Sequence, residues 1–238
     1  MALNNKTFVI TKRELQSYFT SPVAYITTAL FLILTGIFFY STFFLNKKAE
    51  LRNFFSLLPY TFALFIPAIT MKLFSEEQKT GSIESLMTLP VTETQVVLGK
   101  FFAAFITSCT MLIPTFFYIV TLLFFGKPDF GPIIGGYIGA IILCATYSAI
   151  GIFASSITRN QIIAFFTALG ISGFLTMLHL FLIFLPGNIV KIFNFVSIVP
   201  HFNSIAKGIL DTRDIVYFFT LIIFFILLTI KSQEARKH

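Results

Sequence analysis

The amino-acid sequence predicts an all-α integral membrane protein with six transmembrane helices. Hydrophobic residues make up 56% of the 238 residues and charged residues only 11%, whereas soluble domains carry about 25% charged residues. The mean hydropathy is +0.88. An α-helix needs about 20 apolar residues to cross a bilayer. Apolar runs near that length recur at about 23–45, 54–71, 101–125, 133–157, 162–185 and 213–231.

The apolar runs are predicted to be helices rather than strands of a barrel. Barrel strands alternate between a lipid face and a polar lumen over roughly 10 residues, whereas these runs are longer and apolar on every side. A helix in lipid satisfies its backbone hydrogen bonds within itself. The first run, 23–45, is too long for the apolar core of a signal peptide, and no small-residue cleavage site follows it, so we expect it to be retained.

An amphipathic helix is predicted at 7–20, before the first span. Thr11 and Glu14 form a Thr-x-x-Glu capping box, and Ile10 and Leu15 occupy the hydrophobic-staple positions. A helix with one apolar and one charged side is typical of segments that lie on a membrane surface. The alternative, a plain charged N-terminal tail, leaves these capping signals unexplained.

The polar segment 75–100 is predicted to contain a short helix between two breaks. Gly81 interrupts the backbone, Ser82 can cap the helix that follows, and Pro90 ends it. One flank of this helix is apolar, at Ile83, Leu86, Met87 and Leu89. Thr92 then begins a second capping box that leads into the third span. A loop that only joined two spans would need no such helix, so we interpret it as a docking element.

Three glycines at the start of the fourth span form a stripe for close helix packing. Gly131, Gly135 and Gly139 recur every fourth residue and therefore share one side of a helix. Packing within the subunit is the simpler interpretation. A seam between two subunits is the alternative.

The long segment at 186–212 is predicted to form a cap in the outer leaflet. It is too apolar for a solvated linker, and Phe202, Ile205 and Ile209 recur at helical spacing, which predicts a short helix within 200–212. One or two such helices would close an outward exit of the membrane domain.

The net charge of +7 indicates membrane anchoring and no nucleic-acid partner. Lysines and arginines flank the spans, as expected for residues that anchor at anionic headgroups, and no basic patch interleaves with aromatics. With both termini in the cytoplasm, ten of the 17 lysines and arginines face inward. That bias has the sign expected for a cytoplasmic placement of the termini, but it is weak.

Several kinds of chemistry are missing from the sequence. No Gly-x-x-x-x-Gly-Lys-[Ser/Thr] motif is present, so ATP hydrolysis by that route is excluded. Histidines and cysteines do not recur at metal-ligand spacing, and no carboxylate lies in the uncharged interior of a span, which for the last one is 215–230, so an ion-coupled carrier is disfavoured. Cys109 and Cys144 both fall inside spans and are predicted to be packing residues.

One motif suggests an enzyme, and geometry argues against it. The letters GISG, with Ser172 in the third place and His179 seven residues later, are similar to those of an intramembrane serine protease. Seven residues along one helix correspond to about 10 Å, whereas a serine–histidine hydrogen bond spans about 3 Å. Helix packing explains the same glycines and serine. His179 is expected to be a partnered polar residue.

Three stretches of the sequence resemble the membrane subunit of a type-2 ABC (ATP-binding cassette) exporter, and most closely its gliding-motility-like branch. They are KRELQSYFTSPVAYI, EEQKTGSIESLMTLPVTETQVVLGK and HFNSIAKGILDTRDIVYF. The second is the most specific, with its Glu…Gly-[Ser/Thr]-[Ile/Leu]-Glu-x-Leu…Pro…Gly-Lys pattern. The resemblance implies a single permease domain over 1–238, located in the bacterial cytoplasmic (inner) membrane with both termini in the cytoplasm.

The same resemblance implies partners and a coupling site. The chain would pair with a second permease subunit, a copy or a close paralogue, and dock on a cytoplasmic ATPase that binds the ATP. It would itself bind no cofactor or metal. The helix within 75–100 would be the coupling helix, and the residues in contact with the ATPase would be Glu77, Gly81, Ser82, Ile83, Glu84, Leu86, Leu89 and Pro90. A membrane scaffold of a secretion or motility machine and a channel remain alternatives.

Overall fold

The computed structural model of the chain describes residues 2–46, 50–81, 91–126, 128–184, 187–209 and 211–235. Within these ranges the chain is helical and contains no strand. We label the α-helices in chain order as α1 (Ala2–Thr20), α2 (Pro22–Asn46), α3 (Arg52–Thr70), α4 (Lys72–Thr80), α5 (Glu93–Thr110), α6 (Phe116–Phe125), α7 (Phe130–Ile157), α8 (Gln161–Met177), α9 (Gly187–Val196), α10 (Ile198–Ala206) and α11 (Thr212–Glu234).

In the described parts of the chain, six stretches of helix are long and apolar enough to cross a membrane, as the sequence predicted. We number them spans 1 to 6: Pro22–Phe44, Arg52–Thr80, Glu93–Phe125, Phe130–Ile157, Gln161–Phe181 and Thr212–Glu234. Because six crossings return the chain to its starting side, helix α1 and the end of span 6 lie at one membrane face. We call this the termini face and the opposite one the distal face. The all-α membrane fold is thereby confirmed.

Spans 2 and 3 extend further at the termini face than the apolar runs indicated. Helix α4 continues span 2 to Thr80, and α5 begins at Glu93 rather than near residue 101. These helical ends are polar, yet Ser75, Gln78 and Lys100 are buried in them. They pack against protein rather than facing water, and hydropathy alone does not reveal such packing.

Helix α1 begins earlier than predicted, and the capping box proposed at Thr11 is wrong. The helix starts at Ala2, so Thr11 lies in its middle. The Thr11 hydroxyl lies 2.9 Å from Thr7 O and 3.1 Å from Gly99 O. The second predicted box is present: the Thr92 side chain accepts from the Gln95 backbone N–H, and the Gln95 side chain accepts from the Thr92 backbone N–H.

Two prolines, Pro59 and Pro67, lie inside α3, and a side chain of α8 compensates for the backbone hydrogen bond that Pro67 cannot make. Pro67 has no N–H to donate to the carbonyl of Ala63 four residues earlier. The Ser172 hydroxyl of α8 lies 3.0 Å from Ala63 O and can donate to it instead. Such replacement is needed because lipid offers no water to satisfy a free carbonyl.

A break at Met71 separates α3 from α4, and Ser155 of α7 bridges it. The Ser155 hydroxyl accepts from Phe74 N at 3.0 Å and Ser75 N at 3.1 Å, and it donates to Met71 O at 2.9 Å. It therefore acts as an N-cap supplied by another helix. The start of α4 is thereby fixed to the end of span 4.

The cap predicted at 186–212 consists of α9 and α10 at the distal face. Phe202 and Ile205 are fully buried, whereas Ile209 is 60% exposed. The helix predicted within 200–212 runs instead over Ile198–Ala206. It ends early because Gly208 turns the chain with φ +85°, a left-handed conformation that glycine adopts readily.

Candidate functional site

Helices α1, α4 and α5 meet at the termini face, on both sides of the segment 82–90. Gly99 lets α1 approach α5 closely, since a Cβ at this position would lie 2.7 Å from Cγ2 of Ile10. The Tyr18 hydroxyl of α1 donates to Ile69 O at 2.9 Å, near the end of α3. Helix α1, the predicted surface helix, is therefore attached to spans 2 and 3 by specific contacts.

Lys100 lies at the centre of this junction and is fully buried, with 0% exposure. Its Nζ lies 2.9 Å from Glu77 Oε1 of α4, 3.2 Å from Glu14 Oε1 of α1 and 2.7 Å from Leu73 O. An ammonium group has three N–H donors, so each donor has an acceptor. Nζ also lies 5.1 Å from the centroid of the Phe74 ring.

A second cation balances the charge of the site. Arg13 Nη2 lies 2.6 Å from Glu14 Oε1 and 3.1 Å from Glu77 Oε1. Arg13 and Lys100 thus share two carboxylates, and the formal charges cancel. We call the four residues Arg13, Glu14, Glu77 and Lys100 the charge cluster.

The electrostatics favour the charged forms of Glu14 and Arg13. Burial alone would raise the pKa of Glu14, but the charge of Lys100 and the hydrogen bond from Arg13 outweigh it and lower that pKa. Burial likewise opposes the charge of Arg13, and its contacts with Glu14 and Glu77 raise the Arg13 pKa. Both groups are therefore ionised at neutral pH.

An open cleft of about 440 Å³ adjoins the charge cluster between α1 and α4. Arg13 and Glu14 line it from α1, and Lys72 and Glu76 from span 2. Lys72 Nζ lies 4.7 Å from the centroid of the Tyr18 ring. The cleft gives the junction a polar surface at the termini face.

The charge cluster can hold three helices together during a movement. It joins α1 to α4, which precedes the segment 82–90, and to α5, which follows that segment. Removing one partner of a buried ion pair costs about 3–5 kcal/mol. A displacement applied to the segment would thus move α1 and the adjoining ends of spans 2 and 3 together.

The predicted ATPase contacts fall partly on described residues. Glu77 belongs to the charge cluster, and Gly81 ends α4 with φ +72°, where a larger side chain would be strained. The other predicted contacts lie outside the described residues: Ser82, Ile83, Glu84, Leu86, Leu89 and Pro90. Sequence reasoning did not single out Arg13, Glu14 or Lys100 as members of a site. The sequence signal that could have indicated this site is Lys100, a lysine at the very start of the apolar run 101–125.

The glycine stripe of span 4 faces α10 and the turn that follows it. A Cβ at Gly135 would overlap Ile205 O, and one at Gly139 would lie 3.0 Å from Cε2 of Phe202. The backbone of Gly131 adjoins Gly208, where an added Cβ would lie 3.3 Å from Gly131 O. All three glycines therefore lie against the cap of the same chain.

The serine and histidine of the GISG motif are not paired with each other. The Ser172 hydroxyl is within reach of Ala63 O, as described above. His179 Nε2 lies 3.0 Å from the Tyr60 hydroxyl, and its Nδ1 lies 2.8 Å from Thr176 O. Within the described part of the chain, no group of three or more His, Cys, Asp or Glu residues could hold a metal ion.

The fold and the charge cluster define a multi-pass helical membrane protein with a polar helix junction at one face. The family model described as "ABC-2 family transporter protein" matches residues 8–230, so the chain belongs to the ABC-2 transporter family. The comparison with curated proteins finds no match. Membership makes the chain a permease component of an ABC transporter, without an ATPase site of its own. Permeases of this family normally work with a cytoplasmic ABC ATPase.

Proposed function

We propose that the chain is the permease subunit of an ATP-driven exporter and that segment 75–100 couples it to a separate ATPase. Two permease subunits, identical or closely related, form the translocation path in a bacterial cytoplasmic membrane. The ATPase binds the ATP, and this chain binds no cofactor. The observation that carries the proposal is the charge cluster, which joins both sides of the segment 82–90 to the surface helix.

The contacts around α4 support a rigid connection from this segment to the spans. Gln78 Nε2 donates to Ser156 O at 2.9 Å, and Ser155 caps the start of α4. Helix α4 is thereby linked to span 4, in addition to its links to α1 and α5 through the charge cluster. A movement of the ATPase would then rotate the membrane helices as one body rather than bend a single loop.

Docking would use the apolar flank of the coupling helix. In this proposal Ile83, Leu86 and Leu89 enter a cleft of the ATPase, and Glu84 selects the partner by charge. The left-handed turn at Gly81 redirects the chain at the end of α4. The assignment of the chain to the gliding-motility-like branch of the family rests on the sequence resemblance alone.

The experiment is co-purification of the tagged permease with its ATPase from solubilised membranes of its own cells. We expect Leu86→Ala and Glu84→Lys to weaken association by tenfold or more, since a buried apolar contact is worth about 2–5 kcal/mol and 1.4 kcal/mol is tenfold. The stimulation of ATPase activity by the permease should fall together with the association. Glu93→Lys, at the first turn of α5, is the charge-reversal control. Wild-type association in all three variants would contradict the docking proposal.

The placement of the termini face in the cytoplasm is tested by cysteine labelling of intact cells. In a background of Cys109→Ala and Cys144→Ala, we expect Lys207→Cys at the distal face to react with an impermeant thiol reagent. Lys79→Cys at the termini face should react only after permeabilisation. Both side chains are exposed, so accessibility reports the side of the membrane. The reverse pattern would invert the proposed topology.

A further inference from the structure

A groove of about 420 Å³ lies at the distal face between the end of α9 and the start of α11. We call it the distal groove. Its wall residues are Phe195 and Val196 from α9 and Arg213, Val216, Tyr217, Thr220 and Leu221 from α11. Apart from the Arg213 side chain, the wall is made of apolar and aromatic groups and two hydroxyls.

The walls of the distal groove are held in place by His201. The His201 ring stacks on Tyr217 with centroids 4.1 Å apart. Its Nε2 lies 2.9 Å from Phe195 O of α9, and its Nδ1 lies 2.6 Å from Asp214 Oδ1 of α11. One side chain thus ties the two helices that form the groove, so its shape exists before any ligand binds.

Among the described residues, the polar groups of the groove are bonded within the protein, except the Arg213 guanidinium. The Tyr217 hydroxyl donates to Val196 O, and the Thr220 hydroxyl donates to Val216 O at 2.7 Å. Asp214, the adjacent carboxylate, is engaged by His201. In the described ranges of the chain, no carboxylate lies within ion-pair distance of the Arg213 guanidinium.

The depth of these groups in the membrane matches the shape of a lipid. Span 6 begins at Thr212, so Arg213 lies at headgroup depth. Leu221 follows eight residues later, about 12 Å nearer the bilayer centre at 1.5 Å per residue. A cation therefore stands at the mouth of the groove, and an apolar wall descends from it in the direction of an acyl chain.

We propose that the distal groove binds an anionic phospholipid of the distal leaflet. The phosphate pairs with the guanidinium of Arg213, whose planar donors suit phosphate oxygens. One acyl chain lies along Val216 and Leu221. The anionic class follows from charge: a zwitterionic headgroup adds an ammonium group, and both neighbouring carboxylates are already engaged, Asp214 by His201 and Asp211 by the backbone N–H of Arg213. This site is independent of coupling to an ATPase.

The natural sequence contains no tryptophan, so one introduced tryptophan reports on lipid contact. Phe195→Trp places it in the groove wall. The protein is placed in nanodiscs of unlabelled phosphatidylcholine to which a lipid with brominated acyl chains is added. The measurement compares how strongly brominated phosphatidylglycerol and brominated phosphatidylcholine quench the tryptophan fluorescence. We expect roughly fivefold preference for phosphatidylglycerol, the scale of one arginine's attraction to anionic lipid. Phe219→Trp is the control, because Phe219 is exposed on the roughly opposite side of α11 and should show no headgroup preference.

Three arginine variants in the Phe195→Trp background identify the charge. Arg213→Gln should abolish the preference, and Arg213→Lys should retain part of it. Arg52→Gln, at the start of span 2 on the same membrane face, should retain all of it. Size-exclusion chromatography confirms that each variant is folded. Equal quenching by both lipids in the parent, or an undiminished preference in Arg213→Gln, would overturn the proposal.

A last experiment distinguishes binding of a lipid headgroup in the groove from binding of a free anion. Inorganic phosphate is added at constant ionic strength to the Phe195→Trp protein. We expect the quenching by brominated phosphatidylglycerol to stay unchanged, because the acyl chain contributes to binding. Loss of the preference would assign the site to free phosphate and overturn the lipid proposal.

Discussion

The two membrane faces use basic residues in opposite ways. At the termini face, Lys100 and Arg13 share the carboxylates of Glu14 and Glu77, and the charges balance around the fully buried Lys100. At the distal face, Arg213 is exposed beside an apolar groove, and the nearby Asp214 is bonded to His201. A charge-balanced cluster around a buried lysine suits a joint between helices. An unbalanced cation beside a groove suits binding.

The two faces also differ in the contacts that predominate where their peripheral helices meet the spans, although α1 also lies close to Gly99 and α10 also carries the bonds of His201. Helix α1 is attached at the termini face through ion pairs and the hydroxyls of Thr11 and Tyr18. Helix α10 is attached at the distal face through glycine contacts, with Gly135 and Gly139 against Ile205 and Phe202. A hydrogen bond or ion pair requires its two groups to point at each other. A glycine contact instead requires the two helices to approach closely, because a side chain would not fit between them. Each attachment can be disrupted by a different kind of substitution.

The largest expected effect is from Lys100→Met at the termini face. The substitution leaves Glu14 and Glu77 close together with only Arg13 to balance them, and loss of one partner in a buried cluster costs about 3–5 kcal/mol. We expect a lower midpoint of thermal unfolding in detergent and loss of ATPase stimulation. Lys79→Met, at the exposed end of α4, should change stability by about 0.5 kcal/mol or less.

A double variant distinguishes charge balance from simple loss of packing. Glu77→Gln combined with Lys100→Met removes one charge of each sign and leaves Arg13 paired with Glu14. We expect the double variant to be more stable than Lys100→Met alone, with a favourable coupling free energy of about 0.5–3 kcal/mol. If the two substitutions were simply additive, the charge cluster would not act as a unit.

A smaller effect is expected from Gly135→Ala at the distal face. The new Cβ would overlap Ile205 O, so α10 must shift away from span 4. Overpacking of this kind costs about 1–3 kcal/mol. The matched control is Gly170→Ala on α8, where an added Cβ meets nothing within 4 Å. Equal thermal unfolding midpoints for the two variants would show that α10 accommodates the methyl group freely.

The sequence was sufficient for the fold because the apolar runs are long and separated by polar loops. It misplaced helix ends where polar residues are buried against protein, as at Gln78 and Lys100. The capping box at Thr11 was wrong for a related reason. A cap is local, whereas Thr11 and Glu14 are engaged by Gly99 and Lys100, more than 80 residues away.

The candidate site was predictable only in part. The glycine, proline and capping pattern of the segment 75–100 predicted a docking element, and the family resemblance predicted Glu77 as a contact with the ATPase. The pairing of Glu77 with Lys100 depends on how α4 and α5 pack side by side, which spacing does not reveal. Arg213 and Lys100 look alike in sequence, since both are basic residues at the start of apolar runs. Only their surroundings distinguish a joint from a binding site.

The smallest expected effect is the loss of stability in acid through Glu14. Although burial opposes its charge, Lys100 and Arg13 lower its pKa in the folded protein below the ordinary value of 4.5. A carboxyl group with a lowered folded pKa adds stability that is fully present above its ordinary pKa and is lost as the pH falls through the folded pKa. We therefore expect the thermal unfolding midpoint to fall as the pH drops below about 4.5.

Glu14→Gln isolates this contribution from those of other carboxyl groups. The variant should be less stable than the parent at neutral pH, and the difference should shrink as the pH falls below the ordinary glutamate pKa, because protonation removes the same charge from the parent. Glu50→Gln, which changes an exposed carboxylate at the distal face, should keep the full acid sensitivity of the parent. A constant difference between Glu14→Gln and the parent across this range would show that Glu14 stabilises the junction by packing and not by its charge.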